Sequence, residues 1–228
     1  MKSIQIAIDG PSGAGKSTMA KQLSQKLGIV YLDTGAMYRA LALKAIRLNI
    51  DTRDSEKVTE LLLDIDIQIK YENGNQKVIL DGEDVSDKIR TDEVSMGASN
   101  VSAIPEVRKR LVELQQKMAS NTSVVMDGRD IGTHVLPNAD VKIFLTASVA
   151  IRALRRYNEQ KEKGILKKSL EEIEKEIEIR DYNDSHRAAS PLQQADDAVL
   201  LDTSNYSIAE SVEKILEIIK SKGLLNDL

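Results

Sequence analysis

The sequence contains no cysteine and no tryptophan, and its aromatic residues are limited to six tyrosines and one phenylalanine. The absence of cysteine excludes a disulfide framework, a thiolate metal site and a cysteine nucleophile. It is also typical of a reducing compartment, so we expect a cytoplasmic protein. The chain has 32 basic and 36 acidic residues, which gives a formal charge of −4. A mildly acidic chain with few aromatic rings is poorly suited to extended nucleic-acid binding, so we expect no nucleic-acid partner.

Long hydrophobic runs are missing as well. No stretch approaches the roughly 20 apolar residues that a transmembrane helix needs, and the apolar run within Met1–Ile8 is too short for a signal peptide. We therefore expect no membrane partner. A chain of 228 residues corresponds to one or two domains, and nothing in its sequence demands more than a monomer.

Short apolar segments alternate with helical patterns along the chain, which is typical of a parallel sheet covered by helices. The segments brief enough to be buried strands are Ile4–Ile8, Ile29–Leu32, Ser123–Met126, Val141–Leu145 and Ala198–Leu201. Apolar residues spaced by three and four predict the helices between them. The predicted fold class is therefore α/β, with a five-stranded parallel sheet flanked by helices.

One region between the second and third core strands interrupts this alternation. Apolar and polar residues alternate from Ile65 to Tyr71, a turn is predicted at residues 73–75, and a second tight turn at Asp81-Gly82 follows the segment Lys77–Leu80. These signals predict a small antiparallel sheet. We expect an inserted lobe at residues 63–99 that moves against a core formed by residues 1–62 and 100–228.

The sequence Gly10-Pro11-Ser12-Gly13-Ala14-Gly15-Lys16-Ser17 matches the phosphate-binding loop pattern, and it lies between a predicted strand and a predicted helix. The glycines let the backbone N–H groups converge on phosphate oxygens, and the helix directs its positive end to the same place. Lys16 is expected to reach the terminal phosphates of ATP, and the Ser17 hydroxyl is expected to bind Mg²⁺. Together with Thr18, these residues form the predicted ATP site.

A phosphate-binding loop indicates a nucleoside triphosphate but leaves the reaction open, since motor ATPases, GTPase switches and small-molecule kinases share it. GTPases typically carry Asn-Lys-x-Asp for guanine, which is missing here, and the third core strand leads into Asp127-Gly128-Arg129-Asp130 instead of Asp-x-x-Gly. This disfavours a nucleotide-dependent switch that acts on a protein partner. Asp127 is a candidate to hold the Mg²⁺ ligands in place without binding the ion directly. The alternative is that it caps the strand end.

Two arginines follow predicted core strands. Arg39 ends the segment Asp33-Thr34-Gly35-Ala36-Met37-Tyr38-Arg39, and Arg129 follows the third strand. The carboxyl ends of parallel strands form the edge at which open α/β sheets bind ligands. Because a guanidinium group matches phosphate oxygens in a bidentate manner, the pair predicts a second, phosphate-bearing substrate. Taken singly, either arginine could instead form a surface ion pair.

The apolar stripe of one predicted helix, from Leu170 to Ile177, turns charged part-way along. The same spacing of three and four continues onto Arg180, Asp184 and Arg187. A core stripe that becomes charged predicts residues that enter a cleft. The alternative is a salt-bridge ladder at a fraying helix end.

A basic run follows the fourth core strand. Arg152, Arg155 and Arg156 precede the glycine at position 164. This arrangement predicts a hinged lid over the triphosphate, within about residues 155–170. A merely solvated run of charges is the alternative.

Taken together, these motifs resemble those of bacterial cytidylate kinases. The resemblance covers Ile4–Ile219. It rests on the phosphate-binding loop, Asp33-Thr34-Gly35-x-x-Tyr38-Arg39, Ile89-Arg90 at the end of the insert, Asp127-Gly128-Arg129-Asp130-Ile131-Gly132-Thr133, and Arg180-Asp181 through Arg187-Ala188. It implies transfer of the γ-phosphoryl group of ATP, with Mg²⁺, to CMP or dCMP. It also implies a P-loop kinase core, a helical lid, and an insert that binds the nucleoside monophosphate.

The resemblance further implies individual roles. Thr34 and Arg39 match positions that contact the acceptor nucleotide, and Arg129 matches one that grips its phosphate. Ser99 and Arg108 match positions that read cytosine, although Arg108 lies one step from the apolar stripe of its helix and could equally be exposed. The acceptor-binding residues implied are Thr34, Arg39, Ser99, Arg108, Arg129, Asp130, Arg180, Asp184 and Arg187. The catalytic residues implied are Lys16, Arg129 and Arg180.

A general base is not required for a phosphate acceptor. A phosphate monoester has a second pKa of about 6, so it is largely a dianion at neutral pH. The neighbouring alternative is a P-loop kinase for another small acceptor. A hydroxyl acceptor would need a base, for which Asp33 or Asp130 would be the candidate.

Overall fold

The computed structural model describes residues 3–72 and 74–224. The described residues form two compact units. The first unit comprises residues 3–31, 121–186 and 190–224, and the second comprises residues 32–72, 74–120 and 187–189.

The secondary structure alternates as expected of an α/β fold. In chain order, the strands are β1 (Gln5–Asp9), β2 (Val30–Asp33), β3 (Ile67–Glu72), β4 (Asn75–Leu80), β5 (Glu83–Asp84), β6 (Val124–Gly128), β7 (Val141–Thr146) and β8 (Val199–Asp202). The helices are α1 (Lys16–Leu27), α2 (Gly35–Arg47), α3 (Ser55–Leu61), α4 (Asp92–Val101), α5 (Pro105–Ala119), α6 (Val149–Glu162), α7 (Leu170–His186) and α8 (Ile208–Ser221). Lys88–Arg90 is a 3₁₀-helix, and Ile131–Val135 is one turn of π-helix.

The main sheet is five-stranded, in the order β2-β6-β1-β7-β8. β1 pairs in parallel with β6 and β7, and β7 pairs in parallel with β8. The prediction of five core strands is therefore confirmed. Ile6 and Ile8 of β1 are completely buried because helices cover the sheet, and they pack in one core with apolar residues of α1 and α8. Burial of each such side chain stabilises the fold by about 1.5–3 kcal/mol.

The second unit contains the predicted antiparallel sheet. β3 pairs with β4 from Ile67 opposite Leu80 to Glu72 opposite Asn75, and β4 pairs with β5. Residue 73 of the first predicted turn lies outside the described residues. The second turn has positive φ at both Asp81 and Gly82, as a two-residue type I′ hairpin requires. Apolar residues of the sheet share a core with α2, α4 and α5, and the lobe boundaries 63–99 stay a prediction.

Helices α6 and α7 form a hairpin with a small core of their own, centred on the fully buried Ile173 and Ile177. α7 is preceded by a capping box. Ser169 Oγ accepts the Glu172 N–H, and Glu172 Oε2 accepts the Ser169 N–H. α7 ends at His186, so the prediction that its helical stripe continues to Arg187 is wrong for that residue. Within residues 3–72 and 74–224, no helix is both long enough and apolar enough to cross a membrane.

Candidate active site

The phosphate-binding loop joins β1 to α1 through backbone that only glycine can adopt. A Cβ atom at Gly10 would lie 1.9 Å from the carbonyl oxygen of Leu145, so no side chain fits there. α1 starts after Gly15, which has φ 89, and its first turn has neither a capping side chain nor an acidic residue. The N–H groups and positive end of this helix are therefore suited to an anion.

Lys16 lies in the first turn of α1 and is 6% exposed. Its Nζ donates a hydrogen bond to the Pro11 carbonyl oxygen at 2.8 Å, so the amine is held inside the loop. Burial and the positive charge of Arg129 lower the pKa of Lys16 from 10.5 to about 7, and the carboxylates of Asp127 and Asp184 only partly offset this. Arg180 also lowers the pKa of Lys16, as Arg129 does.

The side chains of Ser17 and Asp127 supply oxygen atoms of the kind that a hard cation such as Mg²⁺ prefers. The Ser17 hydroxyl donates to Asp127 Oδ2 at 2.8 Å, and the Tyr31 hydroxyl donates to Asp127 Oδ1 at 2.8 Å. A hydroxyl and a carboxylate are ligand types that suit Mg²⁺, which keeps most of its ligands as water and substrate phosphate. Among the described residues, no cluster of three or more His, Cys, Asp or Glu residues could hold a metal ion by itself.

Arg129 follows β6 and is fixed by a carboxylate of α7. Its Nε donates to Asp184 Oδ2 at 2.7 Å, and the Asp184 side chain is only 6% exposed. Burial alone would lower the pKa of Arg129, but the adjacent Asp184 outweighs it and keeps the guanidinium group charged. The ion pair therefore fixes the orientation of the Arg129 guanidinium group within the first unit.

Two of the predicted lid arginines are anchored in the first unit. Arg152 is 4% exposed, and its Nη1 contacts the Ser12 carbonyl oxygen at 2.8 Å and Asp181 Oδ2 at 2.7 Å. The Asp181 carboxylate also accepts the Ser12 N–H at 3.4 Å. Arg155 donates to the carbonyl oxygen of Thr203 at 2.6 Å, and the third predicted lid residue, Arg156, is half-buried. In this structure Arg152 fixes the phosphate-binding loop rather than reaching into solvent.

In the second unit, Asp33 organises the start of α2. Asp33 Oδ2 accepts a hydrogen bond from Arg39 at 2.6 Å and lies 3.9 Å from Arg90 Nη2. Burial would raise the pKa of Asp33, but the two guanidinium groups and hydrogen bonds together hold it below its ordinary value. Gln76 of β4 accepts the Asp33 N–H at 2.8 Å, and Thr34 is buried next to it. Arg39 belongs to the second unit and Arg129 to the first. That both guanidinium groups bind one phosphate-bearing substrate therefore stays a prediction.

The residues expected to read the base form a second cluster in the same unit. Arg108 is buried, with 3% exposure, which excludes the exposed alternative. Its Nη1 donates to the Ser102 carbonyl oxygen at 3.2 Å, and its guanidinium carbon lies 5.5 Å from the centre of the Tyr38 ring. Arg187 Nη1 contacts Ser102 Oγ at 3.5 Å, and that hydroxyl donates to the carbonyl oxygen of Ser99. Ser99, Arg108 and Arg187 thus share Ser102 as a common neighbour.

Several residues that hold these side chains were not predicted from the sequence. Tyr31 and Gln76 contact predicted site residues but belong to no local motif. Asp181, which contacts Arg152, lies in the Arg180-Asp181 motif, but no role was predicted for it. Asp9 is a further case, since it is buried directly before Gly10. The same signal that drew attention to Asp127, a carboxylate at the carboxyl end of an apolar strand, applies to Asp9 and would have found it.

A parallel sheet with a phosphate-binding loop between its first strand and first helix defines a P-loop nucleoside triphosphate-binding protein. The family model described as cytidylate kinase matches residues 6–221. The chain therefore belongs to the cytidylate kinase family, as the sequence motifs predicted. It is 54% identical over 218 residues to the cytidylate kinase of Caldicellulosiruptor bescii, with 96% of each chain covered. It is 53% identical over 223 residues to that of Ligilactobacillus salivarius, with 98% of this chain and 99% of the relative covered.

A solved structure of an uncharacterized protein from Eubacterium ventriosum has the same fold. The two structures superpose with a TM-score of 0.52, covering 96% of this chain and 99% of the other, at 12% sequence identity. At that identity the similarity concerns the fold alone.

Proposed function

We propose that this protein transfers the γ-phosphoryl group of ATP to CMP and dCMP, giving ADP and CDP or dCDP. The observation that carries the proposal is the identity of 54% to a cytidylate kinase across 96% of both chains. The geometry agrees with it, because a phosphate-binding loop with a buried lysine and an oriented arginine suits transfer between two phosphate groups.

The donor is ATP, and the first unit supplies its site. The loop Gly10–Ser17 and Thr18 surround the phosphates, and Lys16 neutralises charge on them. Ser17, supported by Asp127, would hold Mg²⁺, which lowers the repulsion between the phosphates when it is bound. Tyr31 keeps the Asp127 carboxylate in position through its 2.8 Å hydrogen bond.

We assign the acceptor nucleotide to residues that match the acceptor-binding positions of the family. Arg39, Arg129 and Arg180 are suited to its phosphate, and Asp130 and Asp184 belong to the same set. Ser99, Arg108 and Arg187 are suited to its base and sugar, and Thr34 lies at the start of α2 beside Asp33. A protein with few aromatic rings must recognise a base through hydrogen bonds and guanidinium planes, which these arginines supply.

Catalysis consists of positioning and charge neutralisation. The acceptor phosphate is already a dianion near neutral pH, so no side chain has to remove a proton from it. Lys16 and Arg129 stabilise charge on the transferring group, and Asp184 holds Arg129 in a fixed orientation. Closure of a lid at residues 155–170 over the triphosphate would exclude water, which otherwise competes as an acceptor.

The proposal also covers the compartment, the oligomeric state and the partners of the enzyme. A chain without cysteine suits a reducing compartment, and we place the enzyme in the cytoplasm as a monomer. Its partners are then ATP, CMP and dCMP alone.

The acceptor preference tests this function directly. ADP release, measured in a coupled assay with ATP and Mg²⁺, should be fastest with CMP and dCMP and slower with UMP, AMP and GMP. Without an acceptor, ADP release should be far slower, because water is a poor substitute. If another monophosphate is the best substrate, the assigned specificity is wrong. If no monophosphate accelerates ADP release, the assigned reaction is wrong.

ATP binding should also take up a proton near pH 8. With a pKa of about 7, Lys16 is mostly neutral at pH 8 in the free protein, and the phosphates of ATP favour its charged form. We expect uptake of about 0.9 proton per ATP. Isothermal titration calorimetry in two buffers of different ionisation enthalpy measures this number. Lys16→Arg, which stays charged at this pH, should show no such difference, and equal heats for the natural protein in both buffers would contradict the prediction.

A further inference from the structure

Asp9 joins two parts of the first unit that are distant in sequence. It is the last residue of β1, directly before Gly10, and it is 5% exposed. Its Oδ1 accepts the Ile131 N–H at 2.8 Å, and its Oδ2 accepts the Gly132 N–H at 2.7 Å. Both oxygens of the carboxylate are therefore used on one short segment of backbone.

The two N–H groups belong to the start of the π-helical turn Ile131–Val135. The first N–H groups of a helix have no acceptor within it, so a buried turn needs one from elsewhere. No side chain caps this turn locally, and Asp9 provides the acceptors instead. Arg129 and Asp130 are thus held between two fixed points: Gly128, which is paired with Asp9 in the sheet, and the turn that Asp9 caps.

Burying the charged carboxylate of Asp9 costs free energy. Burial raises the pKa of Asp9 from 3.8 to about 6, and the hydrogen bonds from Gly132 and Ile131 only partly offset this effect. Asp130 raises the pKa further and Lys16 lowers it. A neutral side chain would avoid the cost of burying a charge, but an amide has only one acceptor oxygen, whereas the two N–H groups contact two separate oxygens of the carboxylate.

We propose that Asp9 is a positioning residue for phosphoryl transfer, which fixes the segment that carries Arg129 relative to the phosphate-binding loop. The proposal rests on the proposed function, since Arg129 is the group whose placement matters there. Both carboxylate oxygens of Asp9 accept backbone N–H groups, so the role proposed is an indirect one. Asp9 acts through Arg129, and an arginine displaced by about 1 Å can lose a factor of about 10² in rate.

Asp9→Asn tests this role. The amide accepts one of the two N–H groups and turns an NH₂ group toward the other, so the segment has to shift. We expect kcat with CMP to fall by about 10²-fold, while the Kd for ATP changes by less than about threefold. The matched control is Asp140→Asn. Asp140 Oδ2 accepts the N–H of Gln5 at 2.9 Å, at the other end of β1, and its replacement should change kcat by less than about threefold.

The thermal midpoints of both variants separate a positioning role from a merely structural one. The proposal holds if Asp9→Asn loses kcat at a midpoint similar to that of Asp140→Asn. It is overturned if the two variants have equal kcat, or if the loss lies wholly in ATP binding. An inactive natural protein would instead overturn the proposed function.

Gly132→Ala tests the same junction if Asp9→Asn does not fold. A Cβ atom there would lie 3.3 Å from Asp9 Oδ2 and 3.1 Å from the flexible chain of Lys142, so it presses on the carboxylate without removing it. We expect kcat to fall by about tenfold with the Kd for ATP unchanged. A kcat equal to that of the natural protein would overturn the proposal.

Discussion

Replacing Arg129 by alanine should lower kcat with CMP by about 10³-fold, while the far-UV circular dichroism spectrum is unchanged. The Arg129 side chain is 19% exposed and is oriented by its 2.7 Å contact with Asp184, so its loss removes an oriented positive charge that no mobile side chain replaces. The substitution also removes the ion pair that Arg129 forms with the buried Asp184 carboxylate, which should cost about 3 kcal/mol of folding free energy. Steady-state kinetics and thermal unfolding measure the two effects separately.

A double variant distinguishes lost chemistry from lost stability. In Arg129→Ala with Asp184→Asn, the buried charge is neutralised, so the thermal midpoint should recover most of the loss. The rate should stay low, because the cation is still missing. Near-normal turnover in either variant would remove Arg129 from the catalytic residues.

Lys16→Met should also abolish most of the activity, through loss of a positive charge at the phosphates of ATP. We expect kcat/KM for ATP to fall by about 10³-fold, because the thioether cannot neutralise charge on the transferring phosphoryl group. The variant should not be less stable at pH 6. There Lys16 is charged and buried, and its lowered pKa means that the fold disfavours this charge.

Lys142→Met is the matched control. Lys142 is also 6% exposed, and its Nζ donates to the carbonyl oxygen of Pro137, five residues earlier, as Lys16 does to Pro11. It lies on β7 and contacts Asp197 instead of the phosphate-binding loop. This variant should keep kcat/KM within about threefold of the natural value. A comparable loss in both variants would mean that burial of any lysine, rather than the position of Lys16, is what matters.

The features that were predicted correctly depend on residues close together in sequence. A buried parallel strand is a short apolar run wherever it occurs, and the phosphate-binding loop needs its glycines, lysine and serine at fixed neighbouring positions. The hairpin turn at Asp81-Gly82 is equally local. Membership of the family followed from several such motifs in order along the chain.

The features that were missed depend on contacts between distant residues. Arg152 contacts Ser12 across 140 positions, and Asp9 contacts Gly132 across 123. Periodicity left Arg108 equally compatible with core and surface, and packing against Tyr38 decides for the core. The spacing of three and four predicted that the helical stripe of α7 continues to Arg187, but the helix ends one residue earlier.

The sequence by itself thus determined the α/β fold, the phosphate-binding loop and the family, because each is encoded in local spacing. Only the tertiary structure decided which charges are buried and what holds them. A buried charge is stable only with partners, and those partners come from other strands and helices. The pairing of Arg129 with Asp184 and of Asp9 with the turn after Asp130 could therefore be read from the folded chain alone.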